Sequence, residues 1–531
     1  MTIAEYIANQ LVNIGVRYVF GIPGGPSIPY MEAFREAGIE FILTSNESAA
    51  ATMANVSARL TGIPGICHAT FGPGATNITT GTAEALLDRS PMIVFTSEMP
   101  DSMIHRTTQM NIDHQKLFGP ITKRSFRISI ENVQEVMDSA FRICTEEYPG
   151  PVHIGLPSDL AGTEIEVSPV QSTPAKNQGY NNDITGITAL LEKTRRPLIA
   201  LGLTAVRLGL GKAVLDFLND NKIPVVVTPM AKGMIPDDHP SYAGVLFHAL
   251  SDYLEDIYEK TDLVIGLGYD PVEYNFESWM PDVPLIHFNT IETDMPEGKE
   301  VLQFIGEPVD WFAVLRSINT GALIFENSVL EGIRNEMTSV LNGFLGHFGP
   351  VSVLKILKDE LPVDSIITAD VGSHLHLIGQ YWKTPSPEKL LITNGWSSMG
   401  FGIPAAISAQ LFRPGSTVVC LTGDGGFLMM AGEIVTALRY NLPIITVVFS
   451  DGELNLIKIK QSWKELKPYG TQIYSGNLFG TDTFFGVRVL TADSAETMKK
   501  AVNIALSLDE PVIINAIIDP DDYKWLIVKQ K

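Results

Sequence analysis

Two acidic turns stand out for the chemistry their residues could do. Thr422-Gly423-Asp424-Gly425-Gly426-Phe427 follows the apolar run 416–421, and Ser450-Asp451-Gly452-Glu453 follows the apolar run 443–449, with 27 residues from Asp424 to Asp451. Each run reads as a buried parallel strand whose carboxyl end carries an acid. Gly423, Gly425 and Gly426 let the backbone come close to a ligand, and Asp424 and Asp451 offer hard oxygen ligands. Mg²⁺ takes one or two carboxylates and completes its octahedron with phosphate oxygens and water. A lone Gly-Asp-Gly after a strand is usually a tight turn. Two such strand ends, each with an acid, could together hold a metal ion beside a phosphate.

The elements that must position these acids fall into three α/β blocks. The first, 1–165, alternates helices with strands at Tyr18–Phe20, Phe41–Leu43, Met92–Phe95 and Val152–Leu156. The second, 184–324, has strands at Pro197–Leu201, Pro224–Thr228, Leu263–Leu267 and Leu285–Phe288. The third, 350–531, holds Ser365–Thr368 and both acidic turns. Strands alternating with helical patterns imply three doubly wound parallel-sheet domains. The turn-rich stretch 170–183 and the stretch from 325 through Phe348-Gly349-Pro350 read as linkers. The first block carries its own constellation: a strand ending in Glu47, a small-residue helix from Ser48, and two glycine turns, Gly21-Ile-Pro-Gly-Gly25 and Phe71-Gly72-Pro-Gly-Ala-Thr-Asn77. Taken alone, Glu47 is a helix-start carboxylate favoured by the macrodipole.

Composition narrows the classes of function. The chain has 531 residues, 38 basic against 60 acidic, and a net charge of −22, which disfavours nucleic acid or an anionic membrane as partner. No apolar stretch reaches the ~20 residues of a membrane span. The start Met1-Thr-Ile-Ala-Glu lacks a signal peptide's basic region and apolar core. Cys67, Cys144 and Cys420 lie in apolar contexts without metal-type spacing, so reduced core thiols in a cytoplasmic protein are expected.

The motifs together resemble the pyruvate oxidase and acetolactate synthase superfamily of thiamine diphosphate (ThDP) enzymes. The resemblance is carried by Gly21–Gly25, Glu47, Gly72–Asn77, Pro120-Ile-Thr-Lys123, Gly150–Pro157, Asp370-Val-Gly372, Met399–Pro404 and the acidic turns. It implies a pyrimidine-binding first domain, a Rossmann-like central domain and a diphosphate-binding third domain. It also implies active sites between subunits of a homodimer or homotetramer. Glu47 is then the partner of the pyrimidine N1′, and Met399 the apolar wedge that bends the cofactor. Gly372, Ser373 and His374 would touch the diphosphate, and Gly25, Gly72, Asn77 and Leu454 would line the cofactor. Asp424 and Asp451 would ligate Mg²⁺ through side chains, and Glu453 through its carbonyl. The family's usual Asn at the second metal position is Asp451 here, which adds a negative charge.

The resemblance also bears on the reaction. Segments 228–240 and Gly268–Trp279 resemble acetolactate synthases of the catabolic type, so FAD is possible but not expected. The Arg that anabolic enzymes carry near Tyr269, and that helps hold the acceptor, is missing here, with Asp270 nearby instead. Lys460 could hold the carboxylate of an acceptor 2-keto acid or be a solvated helix lysine; Leu456 and Ile457 are expected to face inward, with Lys458 on another side. There are two misfits: in the loop 107–113 Met110 takes the register of a family Gln, with Gln109 one residue early, and before Gly72-Pro-Gly Phe71 replaces a small Ser. With His105, His114 and Gln115 nearby, the loop is either polar surface or an altered substrate pocket. The expected activity is decarboxylation of a 2-keto acid such as pyruvate and carboligation to a second. The alternatives are a ThDP decarboxylase or carboligase with a different donor or acceptor, and a non-catalytic ThDP-binding module.

Overall fold

The computed structural model describes residues 1–167, 182–273, 279–295, 298–324 and 327–527. The expected linker 170–183 therefore lies outside the described residues except for Asn182 and Asp183, as does 274–278 of the segment Gly268–Trp279. Each block builds one sheet. In the first, six parallel strands run in the order Glu40–Leu43, Tyr18–Ile22, Gly65–Ala69, Met92–Glu98, Pro151–Pro157, Arg124–Arg127. The second sheet is also six-stranded and parallel, in the order Val301–Ile305, Leu285–Asn289, Leu263–Leu267, Pro197–Leu201, Val225–Val227, Tyr242–Val245. The third has seven strands: Leu390–Leu391, Ile366–Ala369, Val418–Gly423, Ile445–Ser450, Val512–Ile517, Val487–Ala492 and Thr483–Phe484. Its last pair is antiparallel, so this sheet is mixed rather than purely parallel. Thr483–Phe484 is joined to its neighbour by Phe485 and Gly486 alone, a connection that only antiparallel strands can make.

The central strands are buried end to end, as strands covered by helices on both faces must be. Between 324 and 350, where a linker is expected, the chain forms the 17-residue helix Asn327–Gly343. Its Leu330, Met337 and Leu341 are buried, and this periodic apolar stripe docks it on the core.

Six helices surround or support the acidic turns and Glu47: α1 (Glu47–Thr61), α2 (Thr79–Leu87), α3 (Gly402–Phe412), α4 (Asp424–Met430), α5 (Glu433–Arg439) and α6 (Asn455–Trp463). The first and third blocks share one core in which α1 lies between α2 and α3. Small residues make this close packing possible: Ala49, Ala50, Ala51 and Ala54 on α1, and Ala405, Ala406 and Ala409 on α3, are all buried. Three polar contacts fix the register. The Ser408 hydroxyl donates to the Met53 carbonyl (2.8 Å), Arg59 to the Ile392 carbonyl (2.7 Å) and Arg413 to the Leu60 carbonyl (2.8 Å). The central block is tied to the first by Arg89, which donates to both carboxylate oxygens of the fully buried Asp270 at 2.7 and 3.1 Å. The Arg89 guanidinium also lies over the Tyr148 ring, 4.2 Å from its centroid.

Candidate active site

In doubly wound sheets, ligands bind beyond the carboxyl ends of the strands where the strand order reverses. In the third sheet that point lies between Ile366–Ala369 and Val418–Gly423. The first of these strands leads into Asp370–His374 and the second into Asp424, so topology brings together segments some 50 residues apart in sequence. In the first sheet the reversal lies between Tyr18–Ile22 and Gly65–Ala69, which lead into the two glycine turns.

Asp424 opens α4 and is 3% exposed. One carboxylate oxygen accepts the Gly425 N–H (2.8 Å). The other accepts the N–H groups of Asp451 (3.1 Å) and Gly452 (2.7 Å) and the Tyr474 hydroxyl (3.1 Å). The two acidic turns are thus locked together. Burial raises Asp424 above the usual carboxylate range, and burial plus the Asp424 charge pushes Asp451 up to about 7. Two desolvated carboxylates side by side are relieved by a divalent cation. Asp451 also accepts the Glu453 N–H (3.0 Å). A cavity of about 380 Å³ opens beside Asp451, Glu453, Tyr474 and Asn515.

The surroundings fit a diphosphate. Ser373 and His374 begin the helix Ser373–Tyr381, and the buried Ser373 Oγ and His374 Nε2 have no hydrogen-bond partner. Two unpartnered polar atoms at a helix amino terminus suit an anion. Glycine keeps the cradle open, since a Cβ on Gly423 would stand 3.3 Å from the His374 ring. Met399, Leu454 and Ile473 converge over Gly425, where a Cβ would meet Met399 Cε at 3.0 Å. Asp370 sets the Met399 segment in place: its buried carboxylate accepts the N–H groups of Gly400 (2.8 Å) and Gly402 (3.2 Å).

In the first block Asn46 caps α1 by accepting the Ser48 N–H (2.8 Å), which leaves Glu47 in the first turn, 8% exposed. The Asn77 amide donates to Glu47 Oε2 (3.1 Å), and a Cβ on Gly74 would stand 3.3 Å from Oε1. Gly74, Asn77 and Glu47 therefore belong to one small assembly, while Gly72, at the start of the same turn, lies against Met110 and His114. Gly25 has open space around it. The close approach in its turn is made by Gly24, whose Cβ would collide with Thr70 Oγ1 at 2.2 Å. The chain just before Glu47 is held from the third block, where the buried Glu433 on α5 accepts the Ser45 N–H (2.9 Å).

Several sequence expectations change. Ile457 does not face inward: it is 45% exposed, while Ile459 is buried, because α6 turns that residue to the core. Lys458 is paired with Glu453 at 2.6 Å. Lys460 lies on the exposed face of α6. Asp270, expected only as a neighbour of the missing Arg, is the partner of Arg89. The loop 107–113 is not simply polar surface: Phe71, Ile104, Met110 and Ile112 wall a cavity of about 350 Å³ with His114 and Gln115 on its lining. Sequence reasoning missed Tyr474, Glu433 and the carboxylate role of Asp370. Only the Asp370-Val-Gly372 motif signalled any of them.

Known proteins share this organisation. Residues 1–117, 184–310 and 370–516 match the N-terminal TPP binding, central and C-terminal TPP binding domains of thiamine pyrophosphate enzymes. The chain is 32% identical to a probable acetolactate synthase large subunit of Methanocaldococcus jannaschii, over 97% of this chain and 92% of that protein. It is 29% identical to an acetolactate synthase of Bacillus subtilis, over 98% and 93% of the two chains. Against the acetolactate synthase isozyme 2 large subunit of Escherichia coli the figure is 28%, over 99% and 97%.

Proposed function

The chain belongs to the thiamine pyrophosphate enzyme family that holds the acetolactate synthase large subunits, and we propose that it decarboxylates pyruvate and joins the two-carbon remainder to a second 2-keto acid. The observation that carries this reading is the pair of assemblies at the sheet reversals: Glu47 with Asn77 in one, Asp424 locked to the Asp451 turn in the other. Bound ThDP supplies the electron sink that decarboxylation of a 2-keto acid needs. The protein's part is orientation and electrostatics. Asp424, Asp451 and the Glu453 carbonyl hold Mg²⁺, and Ser373, His374 and the glycine cradle take the diphosphate. Met399 and Leu454 press on the cofactor from beside Gly425. Glu47 holds a proton at the pyrimidine N1′ with its other oxygen braced by Asn77.

Further features extend the reading. At the reversal point of the central sheet two of its own loops meet closely, where a Cβ on Gly202 would stand 2.6 Å from the Tyr269 Cα; this supports function without FAD. Leu428 and Met429 are 42% and 55% exposed on α4, which supports a homodimer or homotetramer with sites completed between subunits. Burial lowers His376, on the helix that Ser373 and His374 begin, and the Lys460 charge adds to that shift; this nearness supports Lys460 as the cation for the acceptor carboxylate. No helix among the described residues is long and apolar enough by itself to cross a membrane, in keeping with a cytoplasmic location.

The test is incubation with pyruvate, ThDP and Mg²⁺, reading CO₂ release and product mass. Acetolactate is expected. An aldehyde would make the protein a decarboxylase, and no release from any 2-keto acid would leave a cofactor-binding module. Glu47→Gln should bind ThDP nearly as well and turn over orders of magnitude more slowly; near-native turnover would remove Glu47 from its role.

A further inference from the structure

We infer that Glu98, Gln115, Ser125, His153, Thr96 and His114 form a one-way hydrogen-bond chain that fixes Gly72 and, through the turn Gly72–Asn77, the Asn77 amide against Glu47. Thr96, Ser125 and His153 stand on three neighbouring strands of the first sheet, and His114 and Gln115 open the short helix His114–Phe118. The direction is set by its fixed end. A side-chain amide nitrogen only donates, so Gln115 Nε2 donates to Glu98 Oε1 (2.8 Å). Gln115 Oε1 accepts the Ser125 hydroxyl (2.7 Å), whose oxygen is left to accept from His153 Nδ1 (2.7 Å). The unprotonated His153 Nε2 accepts the Thr96 hydroxyl (2.8 Å), and Thr96 Oγ1 accepts from His114 Nδ1 (2.8 Å). That leaves His114 Nε2 as a lone pair, and it meets a donor, the Gly72 N–H at 3.4 Å. Reversing any link would set two donors or two acceptors face to face.

The rest of the site agrees. Burial lowers His153 well below the ordinary histidine range and His114 to about 4, so both rings are neutral as the chain requires. Phe118 stacks on His153 with centroids 4.0 Å apart and planes 7° apart, and Arg127 clamps the other Glu98 oxygen at 2.7 Å. Gly72 has φ +67°, and a Cβ there would stand 2.7 Å from the Met110 carbonyl oxygen. The turn is therefore seated between Met110 and His114. Glu98, His114 and His153 also place three potential metal ligands within 4.8 Å of one another. A cation there would need the His114 Nδ1 proton removed and the Thr96 hydroxyl displaced from between the rings, so the hydrogen-bond chain is the better account. His114 and Thr96 are positioning residues, and their effect on turnover rests on the proposed reaction; the chain itself does not.

The test uses the full-length protein with isotope-labelled histidine. At neutral pH, NMR should find both His114 and His153 as Nδ1–H tautomers. Thr96→Val, which keeps the side-chain shape but removes the hydroxyl, should lose that signature and lower kcat roughly tenfold to a hundredfold with little change in ThDP affinity. Thr96→Ser should restore both. An Nε2–H tautomer at His114 in the native protein would overturn the inference, as would equal kcat for the Val and Ser variants. Stoichiometric zinc with metal-shifted ring signals would replace it with a metal site. Should Thr96→Val not fold, the native tautomers decide. Should no 2-keto acid be turned over, the tautomers still test the chain while the proposed reaction fails on its own.

Discussion

Asp451 is the residue where the sequence resemblance implies an Asn and this chain carries an acid. An Asn would ligate a cation without a charge, whereas Asp451 sits beside Asp424 and is pushed up to about 7 by burial and by that neighbour. Asp424→Ala should weaken Mg²⁺ and ThDP binding together, because the cation couples carboxylate to diphosphate. Titration calorimetry decides this, and unchanged ThDP affinity in Mg²⁺ buffer would remove Asp424 from the site. Asp451→Asn should retain both ligands. Lys460→Gln should raise the acceptor's apparent KM about tenfold to a hundredfold, the loss of one charge-assisted hydrogen bond, while leaving donor decarboxylation nearly unchanged. No effect on either half-reaction would mark Lys460 as a solvated side chain, and equal losses in both would remove it from acceptor binding. Lys458→Gln is no neutral control for this, since Lys458 is paired with Glu453.

At the scale of elements, α1 couples packing to chemistry. It presents Glu47 at its amino end and is squeezed between α2 and α3. Gly81 on α2 is what permits the contact: a Cβ there would lie 2.6 Å from Ala51 Cβ and 2.7 Å from the Ser48 carbonyl oxygen. Gly81→Ala should therefore destabilise the fold by about 1–3 kcal/mol through overpacking. It should also lower turnover, because Ser48 directly follows Glu47. Denaturant unfolding alongside steady-state kinetics checks both, and native values in each would mean that the helices can separate freely.

At the scale of the whole molecule, buried carboxylates set the pH response. Burial raises Glu273 to about 8 and Glu433 to about 7, and Glu84 is shifted upward for the same reason. Each holds its proton in the folded state to higher pH than in the unfolded chain. Between the unfolded value of 4.5 and these folded values, the native state therefore binds more protons, and stability falls as pH rises. Buried histidines such as His114 and His153, shifted downward, oppose this while the unfolded rings still titrate, so for metal- and cofactor-free protein Tm should be higher near pH 7 than near pH 8, with a steepest slope of about 1.4 kcal/mol per pH unit for each carboxylate. Glu273→Gln should flatten that slope. A Tm that rises toward pH 8 would show that groups shifted the other way dominate.

The sequence by itself determined the strands that lead to the acidic turns and to Glu47. Apolar runs ending in glycine and acid are local signals, and the strands leading to Asp424, Asp451 and Glu47 formed where those signals lay. Edge strands such as Arg124–Arg127, with one exposed and three half-buried residues, carry no such run and were not legible. Neither was the helix Asn327–Gly343, whose stripe has meaning only against the core it covers. The tertiary structure alone decided which polar residues meet. Asp270 with Arg89, Tyr474 with Asp424 and Glu433 with Ser45 are 181, 50 and 388 residues apart in the chain. A buried acid signals in sequence only that it needs donors; which donors reach it is fixed by strand order and helix packing, and these are properties of the whole fold.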